Sequence, residues 1–199
     1  MKGVVAYQGE PGAYAHEACQ KFLPDFERIN RPTFEAVADA VAAGEAELGM
    51  LPIENNTAGA VPGNRALIER KGLVVREEVV LPIRLHLMAV HGARLEEIET
   101  VVSHPIALAQ CHKVLERLSA TPEEAINTAV AARRLADSGD RKKAAVASEA
   151  AALANGLTIL CRNVHDRADN ATTFCIVARD SGNQVSANSA PTASARRCD

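Results

Sequence analysis

The chain has 199 residues, 47% of them apolar, enough for one compact unit of two lobes with a core that needs no disulfide or metal staple. Lys and Arg number 22 against 25 Asp and Glu, aromatics are 3% and Trp is absent, so the basic stripe and stacking rings that nucleic-acid binding requires are missing. No apolar stretch approaches the roughly 18 residues of a membrane span, which sets the expectation of a soluble protein with no membrane partner.

Taken in chain order, Val4–Tyr7 is a short strand-like run and Gly12–Phe22 has helical spacing. Phe26–Asn30 suits a second strand. Thr33–Ala43 reads as an N-capped helix stopped by Gly44, and Leu48–Ile53 returns to an apolar run. A helix is expected over Pro62–Lys71. Two extended runs follow, Leu73–Val80 and Ile83–Val90, split by Leu81-Pro82. Next come strand Thr100–Val102, helix Pro105–Leu118, helix Glu123–Ser138, strand Lys143–Ala147, helix Glu149–Asn155, strand Thr158–Cys161 and strand Phe174–Ala178.

Strands alternating with helices indicate α/β architecture, with the break at Leu81-Pro82 as the lobe crossover. Lobe 1 is then residues 1–80 plus 157–179, and lobe 2 residues 81–156. Residues 180–199, rich in Ser, Ala and Asn, lack the apolar surface to offset ordering entropy and are expected to form a disordered tail. Five cysteines (Cys19, Cys111, Cys161, Cys175, Cys198) are odd in number, with no C-x-x-C pair, as reduced thiols in a cytoplasm would be. MKGVVAYQGE opens directly on a strand-like run, so no secretory signal is expected. The six His show neither HExxH nor finger spacing, so no metal is expected.

Four loops concentrate polar chemistry. In Tyr7–Tyr14, Gly9 and Gly12 permit a tight turn and the helix behind them aims free N–H groups at the loop, which is either an ordinary β-α turn or an anion site. Leu51–Val61 gathers Glu54, Asn55, Asn56 and Thr57 at the end of an apolar strand, as a ligand site or as a capping cluster for the next helix. In Val101–Cys111, Ser103 can cap the helix, Pro105 suits its first turn and His104 sits at its positive end, where capping competes with catalysis as an explanation. No G-x-S-x-G elbow accompanies the Ser-His pair. Asp169–Phe174 sets Asn170, Thr172 and Thr173 before the last apolar run, as a strand start or as part of a site.

In this order the four loops resemble those of prephenate dehydratases and the similar arogenate dehydratases, over nearly all of Lys2–Arg179. Tyr7-Gln8-Gly9-Glu10-Pro11-Gly12-Ala13-Tyr14 matches the family's Y-Q-G-x-P-G-A-Y, and Pro52-Ile53-Glu54-Asn55 its P-[IV]-E-N-S, with Asn56 for Ser. Ser103-His104-Pro105 and Ala107–Cys111 match S-H-P-Q-A-L-A-Q-C, with Ile106 for Gln. Asn127-Thr128-Ala129 and Ala145–Ser148 echo two further stretches.

The resemblance implies a two-lobe α/β fold of the periplasmic-binding-protein-like type II, with an interlobe cleft holding a small dicarboxylate, prephenate or arogenate. It implies decarboxylative dehydration in phenylalanine biosynthesis without a cofactor. Thr172 is implied as the catalytic residue, supported by Glu54, Asn55 and His104. Gly9, Pro11, Gly12, Ala13, Asn56, Thr57, Ser103, Pro105, Asn170, Thr173 and Phe174 are implied at the substrate. A homodimer or homotetramer is implied as well.

Two departures stand out. The family's T-R-F reads Thr172-Thr173-Phe174, so Thr173 replaces an Arg that can fork onto a carboxylate. That keeps open a decarboxylase-like or secondary-pathway enzyme, or a catalytically dead binding module. The chain also stops shortly after the last strand, so the phenylalanine-binding ACT domain typical of the family is expected to be missing.

Overall fold

The structure, a computed structural model, describes residues 2–180. From the N-terminus run β1 (Val4–Gln8), α1 (Tyr14–Phe22), β2 (Glu27–Arg31), α2 (Phe34–Ala43), β3 (Leu48–Asn55), the short β4 (Gly59–Ala60), α3 (Asn64–Arg70) and β5 (Leu73–Pro82). Then come β6 (His86–Ala89), β7 (Thr100–Ser103), α4 (Pro105–Ala109), α5 (His112–Leu118), β8 (Thr121–Glu124), α6 (Thr128–Ser138), β9 (Lys143–Ala147), α7 (Glu149–Ala154) and β10 (Thr158–Cys161). Finally β11 (Ala171–Arg179) returns to the first sheet.

The strands form two sheets, ordered β2-β1-β3-β11-β5 with β4 on β3, and β10-β6-β9-β7-β8. Each sheet carries helices and makes one lobe, so the expected two-lobe α/β class is the one found. The outward crossover follows β5 at residues 83–85, next to the Leu81-Pro82 break.

The return crossover differs from the expected boundary at residue 157. β10 pairs antiparallel with β6 (Thr158 opposite Ala89), so it belongs to lobe 2, and the chain crosses back over residues 162–170. A four-residue apolar run announces a strand but not its neighbour; here Leu157 and Ile159 pack against Met88, Ala145 and Ala152 of lobe 2. Of the expected 180–199 tail, all but Asp180 lies outside the described residues, as does Cys198.

Local chemistry explains the elements that frame the site. Thr33 caps α2, its Oγ1 accepting the Ala36 N–H at 3.1 Å, and Gly44 at φ 80° closes it. Val37, Ala38 and Val41 on one face of α2 are fully buried against sheet 1. One continuous core runs from Tyr7, Cys19 and Phe174 in lobe 1 through Ile83 and Leu85 of the crossover to Leu108 and Val146 in lobe 2.

Gly12 is one point where the two lobes meet in close contact. At φ 91° it adopts a conformation open mainly to glycine, and a Cβ there would lie 2.5 Å from the Ala151 Cα of α7. Its carbonyl accepts the buried Ser148 hydroxyl at 2.6 Å.

Three local expectations need correction. Helix Pro105–Leu118 is broken into α4 and α5, because the Asp166 carboxylate takes the His112 and Lys113 amides at 2.9 and 3.3 Å and starts a new helix. The helix expected from Glu123 begins at Thr128 instead, capped by Asn127 Oδ1 on the Val130 N–H at 2.7 Å. Thr121–Glu124 forms an exposed edge strand parallel to β7, a position that tolerates Pro122. Ser103 is not the cap of α4. It is fully buried at the end of β7 and donates to Val146 O at 2.6 Å, while His104 Nδ1 accepts the Ile106 N–H at 3.2 Å.

Candidate active site

Between the lobes lies a cavity of about 400 Å³. Lobe 1 contributes Gln8, Gly9, Ala13, Tyr14, Asn55 and Thr172; lobe 2 contributes His104, Gln110, Asn127 and Thr128. Phe34, Ile83, Leu85 and Phe174 supply apolar wall.

The polar end is set by a register fault between β3 and β11. Thr172 pairs with Asn55 and Thr173 with Glu54, but Phe174 pairs with Pro52, so Ile53 is an extra residue. That bulge resets the alternation of β3 and brings Asn55 and Pro52, three residues apart, to the cavity with Thr172 and Phe174. Glu54 and Thr173 fall in the other row, beside Val80, which is 56% exposed.

Asn55 organises this end. Its Nδ2 donates to Thr172 Oγ1 and Asn170 Oδ1, both at 2.9 Å. Its Oδ1 accepts from Thr57 Oγ1 (2.7 Å), Thr57 N (3.0 Å) and Ala58 N (2.8 Å). Gln110, reaching over from lobe 2, donates to Thr57 Oγ1 and accepts from Asn170 Nδ2 at 3.0 Å. The ring of partners fixes which end of each amide is oxygen. Thr172 Oγ1 is an acceptor here, and no protein acceptor takes its proton among the described residues. The hydroxyl hydrogen is free to point into the cavity.

Among the described residues, no Arg, Lys, Asp or Glu lines the cavity. Anions must therefore meet neutral donors and helix dipoles. Ala13, at the N-cap of α1, gives no side-chain cap, and Ala13, Tyr14 and Ala15 all line the cavity, so first-turn N–H groups stand available there. Asn127 and Thr128 bring the start of α6 to the opposite wall. The Gly9–Gly12 turn is held by His16, whose Nδ1 accepts the Gly12 N–H at 3.1 Å. Burial, then the nearby Arg28 charge, lowers the His16 pKa and keeps this acceptor neutral. Burial, with Glu17 and Cys111 adding, pushes the Tyr14 phenol well above its ordinary range. Its hydroxyl donates to Arg84 O at 2.9 Å and ties α1 to the crossover. With its Nδ1 occupied as acceptor, His104 has Nε2 as the ring nitrogen left for another partner.

Of the residues singled out from sequence, Gly9, Ala13, Asn55, His104, Thr172 and Phe174 come together in the lining. Thr57 and Asn170 stand behind it in the amide network. Asn56 clamps the two strands, exchanging backbone and side-chain bonds with Ala171 and donating to Asp169 O. Glu54, Pro11 and Pro105 are exposed and outside the lining, as is the half-buried Thr173. Gly12 and Ser103 are buried elsewhere, in the lobe contact and in β7.

Gln8, Tyr14, Gln110, Asn127 and Thr128 were not singled out, although all five lie in motifs quoted above. The signal available for Gln110 was a lone amide at the end of a small-residue helical run.

Comparison with known proteins follows the same lines. The prephenate dehydratase family model matches residues 5–182. The chain is 39% identical over 176 residues to arogenate dehydratase/prephenate dehydratase 2 of Arabidopsis thaliana, covering 88% of this chain and 46% of that protein. It is 38% identical to a bifunctional N-acyl-homoserine lactone acylase/prephenate dehydratase of Komagataeibacter europaeus, covering 88% and 63%. Among solved structures, Arthrobacter aurescens prephenate dehydratase in complex with L-Phe superposes with a TM-score of 0.81 at 29% identity, covering 88% of this chain and 60% of that one. The chain spans 46–63% of the length of these curated relatives. On the family match and these identities, the chain belongs to the prephenate dehydratase family.

Proposed function

We propose that this chain catalyses the decarboxylative dehydration of prephenate to phenylpyruvate, or of arogenate to phenylalanine. The observation that carries the reading is the Thr172 hydroxyl, which receives a hydrogen bond from Asn55 and has its own proton unclaimed at the cavity. In the reaction the ring carboxylate leaves as CO₂, its bonding electrons enter the ring, and the ring hydroxyl departs and takes up one proton to become water. The change is redox-neutral and is driven by aromatisation.

The chain's task is to hold the carboxylates, stabilise charge building on the departing oxygen and keep water out. Thr172 is too weak an acid to protonate that oxygen outright, so it acts as a positioned donor. The first turn of α1 and the Asn127–Thr128 wall suit the carboxylates. Asn55 and Gln110 fix the Thr172 rotamer, and the apolar wall takes the ring.

The acylase activity named for the Komagataeibacter protein is not carried over. Ser103, neighbour of His104, is fully buried and bonded to Val146 O. A cytoplasmic setting in phenylalanine biosynthesis belongs to the same proposal. Burial holds Cys19 and Cys111 at about 12 and Cys175 at about 11, as inert reduced thiols would be. No described helix is long and apolar enough to cross a membrane. A homodimer or homotetramer is also part of it, supported by the outer strand β5, where Val75 and Val80 are 43% and 56% exposed.

The test is to incubate the purified chain with each substrate and identify products by ultraviolet spectrum and mass. Phenylpyruvate or phenylalanine is expected. A non-aromatic decarboxylated product, or no product from either, contradicts the proposal.

A further inference from the structure

A second cavity, about 570 Å³, shares no lining residue with the first. It lies between one face of α5, carrying Lys113, Val114 and Arg117, and the segment from Cys161, the last residue of β10, to Asp166 in the return crossover. Its volume is in the range of small-molecule sites. Val114, Val164 and Cys161 give it apolar surface, while Lys113, Arg117 and Arg162 supply cationic groups.

These charges are not balanced within the cavity. Arg162 is held by Glu149 at 2.7 Å, but Lys113 and Arg117 have no carboxylate partner among the described residues. The Arg117 guanidinium donates weakly to the Cys161 Sγ at 3.9 Å. Among the described residues the lining holds one carboxylate, Asp166, which accepts from the His112 and Lys113 amides and keeps its charge, so the cations still outnumber the anion there. Lys113 and Arg117 stand four residues apart on one helix face, where like charges repel, and an anion between them would relieve that repulsion.

We infer that this cavity is a binding site for a compact polyanion, with carboxylate or phosphate groups meeting Lys113 and Arg117 and an apolar portion resting on Val114 and Val164. The site adjoins the segment that delivers Thr172. The Asp166 amide donates to Gln110 O at 2.7 Å, and Asn170 donates to the Gln110 side chain at 3.0 Å. Anion binding therefore bears on the backbone that sets the Asn55–Thr172 pair.

Isothermal titration of the full chain with citrate and with inorganic pyrophosphate, near physiological salt, tests the inference and separates carboxylate from phosphate recognition. At least one probe is expected to bind saturably. Affinity should fall by about tenfold or more in Lys113→Ala/Arg117→Ala and stay unchanged in Lys142→Ala, a lysine paired elsewhere with Glu99. Both substituted residues are exposed, and circular dichroism checks that the double variant folds. No saturable binding of either probe, or equal binding in the double variant, overturns the inference. Because binding is read without turnover and should survive Thr172→Val, its failure is distinguishable from failure of the dehydratase proposal.

Discussion

Asn55 and Thr172, 117 positions apart in sequence, face each other across paired strands with the amide nitrogen 2.9 Å from the hydroxyl oxygen. The direction of that bond matters more than its length. Asn55 occupies the oxygen as an acceptor, which leaves the Thr172 proton available to a partner in the cavity that this residue lines.

Gln110 holds that arrangement from the other lobe. Gln110→Ala removes a donor to Thr57 and leaves the buried Asn170 amide without its acceptor, a loss of about 1–3 kcal/mol. Steady-state kinetics should show kcat lowered by about tenfold to a hundredfold with KM little changed, as expected of a positioning residue. An effect confined to KM would instead place Gln110 in substrate binding alone.

Thr173 is predicted to be nearly silent in catalysis. It lies in register with Glu54 and Val80 in the row away from the cavity, so Thr173→Arg gains a cross-strand partner in Glu54. Such a pair stabilises by about 0.2–1 kcal/mol. The value of kcat/KM should move less than about threefold. A gain of tenfold or more would mean that position 173 reaches the substrate after all.

This pair of residues also shows how far the sequence could be read. The motifs drew attention to loops that line the cavity, and Thr33, Gly44 and the β-α alternation were legible because caps and apolar periods are local. The Ile53 bulge is not local. It depends on the register of β3 against a strand more than a hundred residues away, and it decides that Asn55 faces the cavity while Glu54 does not. The same limit applies to α4 and α5, separated by Asp166 from the distant crossover, and to β10, whose sheet was decided by packing in lobe 2.

Gly12→Ala tests the lobe contact. Strain at φ 91° costs about 1–3 kcal/mol, and the new Cβ meets the α7 backbone, which cannot rotate away as a side chain can. For a chain of this size a midpoint drop of roughly 2–4 °C per kcal/mol is expected in thermal melts. An unchanged midpoint contradicts the close approach of α1's loop to α7.

Acidification should weaken the same loop. The His16 pKa is lowered in the folded state, so the unfolded chain binds its proton first. The contribution is complete above the ordinary value of 6.5 and is lost as pH falls through the lower folded value. His86, lowered chiefly by burial, acts in the same direction. Melting midpoints measured from pH 8 down to about 5 should fall on the acid side, and His16→Asn, which keeps an acceptor for the Gly12 N–H, should flatten the slope. A slope unaltered by His16→Asn contradicts the assignment.

The most direct measurement is the single-turnover rate of aromatic product formation by wild type, Thr172→Ser and Thr172→Val. Loss of one donor to a developing oxyanion in a water-excluded site costs about 10²–10³ in rate. Thr172→Val, of nearly the same shape, should lose that much while binding substrate normally, and Thr172→Ser should retain most activity. A Thr172→Val enzyme as fast as wild type would contradict the account at its centre.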